Sequence, residues 1–169
     1  MNAVDFFKIE LEYLRNQQEG VMEGITEEQF NWSPPGSANP IRATFVHMLA
    51  TEDYYINQVL SGGERIWVQQ SWGRKIGLSA PPSATHPWDE IRAARLSLET
   101  VLAYAKAVRE ATDTYIQQLT PEELDRQVVL YGRDRIAADV LTRVIEHSAL
   151  HTGDIAAVRG LQGVKKLPV

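Results

Sequence analysis

The sequence predicts an all-α four-helix bundle with a long crossover connection. Three observations carry this prediction: four long stretches repeat apolar residues every three or four positions, residues 61–87 show no sustained period, and no internal repeat occurs. A chain of 169 residues suits one such domain over residues 1–169, burying roughly 70% of its unfolded surface around one core. A long crossover lets consecutive helices run parallel, so simple up-down-up-down order is disfavoured.

The first element is set by Val4, Phe7, Leu11, Leu14, Gln18 and Val21, the stripe of an amphipathic helix that Gly24 ends. Thr26 and Gln29 have capping-box spacing and predict a short helical turn, after which Ser33-Pro34-Pro35-Gly36-Ser37 forces an extended link. Asn39 as N-cap and Pro40 at the first helical position open a second helix that runs to Leu60 and stops at Ser61-Gly62-Gly63. Its seam is Ile41, Phe45, Met48, Leu49, Glu52, Ile56 and Val59. The crossover holds Trp67 and Trp72, which are candidates to line a pocket together with Tyr54, although aromatic residues in bundles more often fill the core.

Acidic residues in Pro87-Trp88-Asp89-Glu90 suit a helix N-terminus, and Ile91, Leu98, Leu102, Val108, Tyr115 and Leu119 carry a third helix onward from there. Thr120-Pro121-Glu122-Glu123 starts one short turn, and Gln127 to Tyr131 is β-prone with Gly132-Arg133-Asp134 to turn it. The last helix spans about Ile136 to Gly160.

Composition removes several function classes. Hydrophobic residues make up 44% and no apolar run nears the roughly 18 residues of a membrane span, so membrane insertion is not expected. A charge of −5 with scattered Lys and Arg gives no basic stripe, so nucleic acid is not an expected partner. The first fourteen residues mix Asp5, Lys8, Glu10 and Glu12 with apolar positions, unlike a signal peptide, and a cytoplasmic location is the expectation. With no cysteine, any metal must be held by histidine and carboxylate.

Inward positions of the last helix read Val140, Val144, His147, His151, Ile155 and Val158, so two imidazoles replace aliphatics within an apolar stripe. Four residues apart, their Cβ atoms lie about 5–6 Å from each other, and both rings can meet one ion. The plainer alternative is a pair of hydrogen-bonded core histidines. Two ligands make a weak site, and His47 is the best third candidate, on a strip with Ala43, Thr44, Ala50, Thr51 and Tyr54. His86, beside Pro87 in the crossover, reads as solvent-exposed or a local cap. Glu52 and Asp154 are the carboxylates nearest in helical phase, candidates to orient a ligand ring or accept a proton, whereas Glu146 points elsewhere.

Three segments resemble the DinB/YfiT-like superfamily of metal-dependent enzymes, and the resemblance covers nearly the whole chain. They are Thr26-Glu27-Glu28-Gln29-Phe30-Asn31-Trp32-Ser33-Pro34, the run from His47 to Tyr55, and the run from Glu146 to Ile155; the last is the most specific. The resemblance implies a four-helix bundle in which His47, His147 and His151 ligate one divalent ion, often nickel or zinc. It also implies a homodimer, which sedimentation mass would test, and chemistry on a small-molecule substrate with a low-molecular-weight thiol. The expected activity is thiol-dependent S-transfer or hydrolysis by a metal-activated thiol or water. The alternative is a non-catalytic bundle that binds a metal or small ligand.

Overall fold

Helix α1 (Ala3–Met22) begins where Asn2 and Asp5 close a reciprocal capping box, each side chain accepting from the other's backbone N–H. It buries Val4, Phe7, Leu11, Leu14, Gln18 and Val21, the stripe its periodicity predicts. A second capping box joins Thr26 and Gln29 and starts α2 (Glu27–Asn31). This computed structural model describes residues 1–83 and 88–165; His86 and Pro87 fall outside them.

Helix α3 (Ile41–Asp53) starts one residue later than expected. Pro40 takes the cap position, while the Asn39 side chain accepts from Arg92 Nε at 2.8 Å instead of capping the helix. The helix then widens into a π-helical segment, Tyr54–Leu60, closed by Ser61 and Gly63 N–H groups donating to Ile56 and Asn57 carbonyls. Inserted π-turns rotate the following side chains relative to an α-helix and recur near functional sites.

The crossover is packed. It contains α4 (Ile66–Gln69) and α5 (Trp72–Ile76), and buried Asp53 accepts from the Ile66 and Trp67 N–H groups at 2.8 and 2.9 Å. Trp67 and Trp72 are each 6% exposed with ring centroids 5.4 Å from Tyr104, so they belong to the core.

The expected third helix is two elements. Short α6 (Asp89–Ala93) ends as Ala94 turns extended, and the Ser97 side chain then caps α7 (Leu98–Gln118) by accepting from Thr100 N–H. The break is held from outside. Arg42, 3% exposed, donates to the carbonyls of Asn31, Ile91 and Arg92, and the Asn31 side chain bonds both backbone groups of Leu96. Tertiary contacts thus override a periodicity that reads as continuous.

A 3-10 turn, Glu122–Asp125, leads into the antiparallel hairpin β1 (Gln127–Leu130) and β2 (Arg133–Ile136), followed by α8 (Ala137–Leu161). Tyr131 and Gly132 make the turn, one position ahead of the one expected, with φ of 52° and 72°. Two positive values mark the type I′ geometry that suits a two-residue hairpin.

Helix α8 packs on α1 and α3, and α3 packs on α7. Helices α3 and α7 run parallel, since Arg42 near the start of one meets Ile91 ahead of the other and Glu52 further along meets Thr112. Helices α1 and α8 are parallel too, with Phe7 beside Leu141 at one end and the Val21 carbonyl bonded by Arg159 at the other. The order is therefore up-down-down-up, the arrangement a long crossover permits. Among the described residues, no helix is long and apolar enough to cross a membrane.

Candidate metal centre

Where α3 and α8 face each other, small buried residues occur on both helices: Ala43, Thr44 and Ala50 on one, Ser148 and Thr152 on the other. The buried stripe of α8 runs through Val144, Ser148, Thr152 and Ile155, so His147 and His151 sit at its margin, half-buried, where the sequence predicts inward positions. That edge placement leaves the rings between core and solvent.

His47, His147 and His151 converge, each offering one ring nitrogen, and these three atoms lie within 4.8 Å of one another. Ring centroids are 4.4–5.0 Å apart. His47 Nδ1 lies 2.9 Å from the Pro82 carbonyl, which can only accept, so Nδ1 carries the proton and Nε2 presents its lone pair. His151 Nδ1 likewise donates to Asp154 Oδ2 at 2.9 Å, leaving its Nε2 free.

The His47 and His147 Nε2 atoms face each other at 3.0 Å. Two nitrogens bound at about 2.0–2.1 Å to one zinc ion stand roughly 2.9–3.3 Å apart for angles of 90–109°, so this pair fits a shared ion. Burial is the main force holding the His147 pKa down, to about 3, with the neighbouring His151 and His47 adding to it. The His47 pKa is also lowered, chiefly by burial and slightly by His151, against an opposing pull from the Pro82 carbonyl. Both rings are neutral near pH 7, the state that ligates metal.

The two candidate carboxylates separate. Asp154 bonds His151, as described, whereas Glu52 is 4% exposed and turned to the opposite side of α3. There Glu52 accepts from Thr112 Oγ1 at 2.7 Å and lies 3.6 Å from Arg15 Nη2. Among the described residues it joins no ligand group with the histidines. Glu146 is exposed and lines a groove between α1 and α8 with Phe6 and Ile145.

Sequence reasoning passed over four contributors. Pro82 supplies a main-chain acceptor, for which no side-chain pattern exists. Trp88 packs on His47 with centroids 4.7 Å apart, although its position reads as a helix start. Tyr55 meets the His147 ring edge-to-face at 6.5 Å, and Tyr131 reaches Tyr54 and Tyr55 from the hairpin turn at 5.6 and 6.4 Å. The one available signal for Tyr131 was a bulky residue immediately before Gly132.

A search of curated proteins returned no match. A crystal structure of a conserved protein from Enterococcus faecalis superposes with a TM-score of 0.80, covering 95% of this chain and 97% of that one at 19% identity. At that identity the likeness shows the fold alone. The sequence model of the DinB superfamily matches residues 10–155, from the first helix to beyond the last histidine, and the chain belongs to that superfamily.

Proposed function

We propose that this protein is a metal-dependent enzyme whose His47, His147 and His151 hold one divalent ion, nickel or zinc. The observation that carries the proposal is the joint orientation of the rings: Pro82 and Asp154 take the Nδ1 protons of His47 and His151 and turn both Nε2 lone pairs inward. A structural histidine cluster has no need of that pattern.

Three imidazole ligands would leave coordination positions open, and an ion so held would lower the pKa of water or a thiol and polarise an electrophile. The residues of this chain supply the rest. Asp154 fixes the tautomer and angle of His151, the Pro82 carbonyl does the same for His47, and the Trp88 and Tyr55 rings pack against His47 and His147. The chain has no cysteine, so thiol chemistry here uses an external low-molecular-weight thiol, giving S-transfer; with water the same site is a hydrolase.

Metal analysis of tag-free protein tests the ligand set. The expected content is close to one nickel or zinc per chain, falling to background in the double variant His147→Ala, His151→Ala; retained metal in that variant would remove the assignment. A panel of thiols with electrophiles, and of hydrolysable esters and amides, then tests the reaction. Turnover should vanish in metal-stripped protein and return on reloading. Metal without any turnover across the panel would favour a bundle that binds a small ligand.

A further inference from the structure

Tyr131 occupies a position that its residue type does not suit. Its φ of 52° lies in the left-handed region, where Asn, Asp and Gly are favoured and a bulky side chain is strained. Strain of this kind persists where the surrounding structure enforces it and clusters at functional sites. The side chain recovers little by burial, since it is 67% exposed.

The tyrosine is aimed at the metal centre's aromatic flank. Its ring lies 5.6 Å from Tyr54 and 6.4 Å from Tyr55, and its hydroxyl donates to the Tyr55 hydroxyl at 3.4 Å. Tyr55, 6% exposed, in turn meets His147 edge-to-face. The guanidinium of Arg65 sits 4.6 Å from the Tyr54 ring centroid and covers that ring. Tyr131 is the accessible member of the cluster.

Two successive tyrosines of the π-helical segment reach the same cluster. Tyr54 and Tyr55 are the segment's first residues, and their rings are 5.7 Å apart, tilted by 45°. The hairpin brings the third ring from another part of the chain, separated from Tyr55 by 76 positions.

We propose that Tyr131, backed by the buried Tyr55, forms the wall that selects substrates carrying an aromatic or flat conjugated group next to the metal-bound reacting atoms. This rests on the metal-centre reading above and specifies its substrate class. Aromatic rings stack offset or edge-to-face on such a wall, whereas a short aliphatic group leaves it exposed to water. The strain at residue 131 is retained because Asn or Gly, which suit the turn, would remove the wall's outer ring.

The test uses two metal-directed probes, acetohydroxamate and phenylacetohydroxamate, on zinc-loaded full-length protein by calorimetry. Their affinity ratio isolates the ring's contribution from chelation. In Tyr131→Asn the preference for the aromatic probe should fall about two- to tenfold while acetohydroxamate binding holds. Tyr131→Phe should keep the preference. The melting temperature of Tyr131→Asn should be at least that of wild type, with a rise of about 2–4 °C where the relieved strain exceeds the lost contacts.

An unchanged ratio in Tyr131→Asn would overturn the wall, as would a lower melting temperature, which would make Tyr131 a packing residue of the hairpin. Failure of the underlying site looks different. Zinc content would be near zero, or acetohydroxamate would not bind wild-type protein at all.

Discussion

An imidazole ligates through a lone pair, and the hydrogen bond at its other nitrogen decides which atom offers one. At His47 that decision belongs to a main-chain carbonyl and escapes any side-chain substitution, but at His151 it belongs to Asp154. Asp154→Ala should therefore weaken metal binding about 10- to 100-fold, read by competition with a chromophoric chelator. Because the Asp154 side chain is 55% exposed, the metal-free melting temperature should hardly change. An unaltered affinity would mean that the helix alone fixes the His151 ring. The His147/His151 pair was legible in the sequence because spacing and residue type both report on it, whereas no spacing ties His47 to that pair and only the family resemblance joined it to them; the Pro82 acceptor was not legible, since a carbonyl is common to every residue.

At the scale of elements, periodicity and caps reported what local chemistry controls. The α1 stripe and the Thr26 box follow from side-chain spacing and from hydrogen bonds within three residues. The division of the third helix does not, because it is enforced by Arg42 and Asn31 from other elements, and a continuous apolar pattern crosses it. Ser97 is the local half of that boundary. With its hydroxyl accepting from Thr100 N–H at 3.2 Å, Ser97→Ala should cost about 0.5–2 kcal/mol, measured by urea denaturation with the slope unchanged. A neutral outcome would show that the Arg42 and Asn31 contacts hold the break without the cap. The π-segment at Tyr54–Leu60 left no compositional trace either, since its i→i+5 bonds are a matter of backbone winding.

For the whole molecule, the site sits between the α3 and α8 halves of the bundle, so a metal bound there couples to global stability. An ion at about a thousand times its dissociation constant stabilises the fold by roughly 4 kcal/mol, some 8–16 °C in melting temperature for a chain of this size. The pH dependence follows from the histidines. In the unfolded chain their pKa is near 6.5, whereas in the fold that of His147 is held down to about 3 and that of His47 is lowered. Below pH 6.5 the unfolded chain thus binds more protons than the folded one, and stability is lost as pH falls from there toward 3, with or without metal. Protons compete for the His147 ring in the folded state only at the lower end of that window. Melting curves of metal-loaded and metal-stripped protein should therefore both descend below pH 6.5 while a gap between them, widest near pH 7.5, is still present near pH 5.5 and closes toward pH 3. Coincident curves at pH 7.5 with metal shown to be bound would detach the ion from the fold and place it outside the α3–α8 interface.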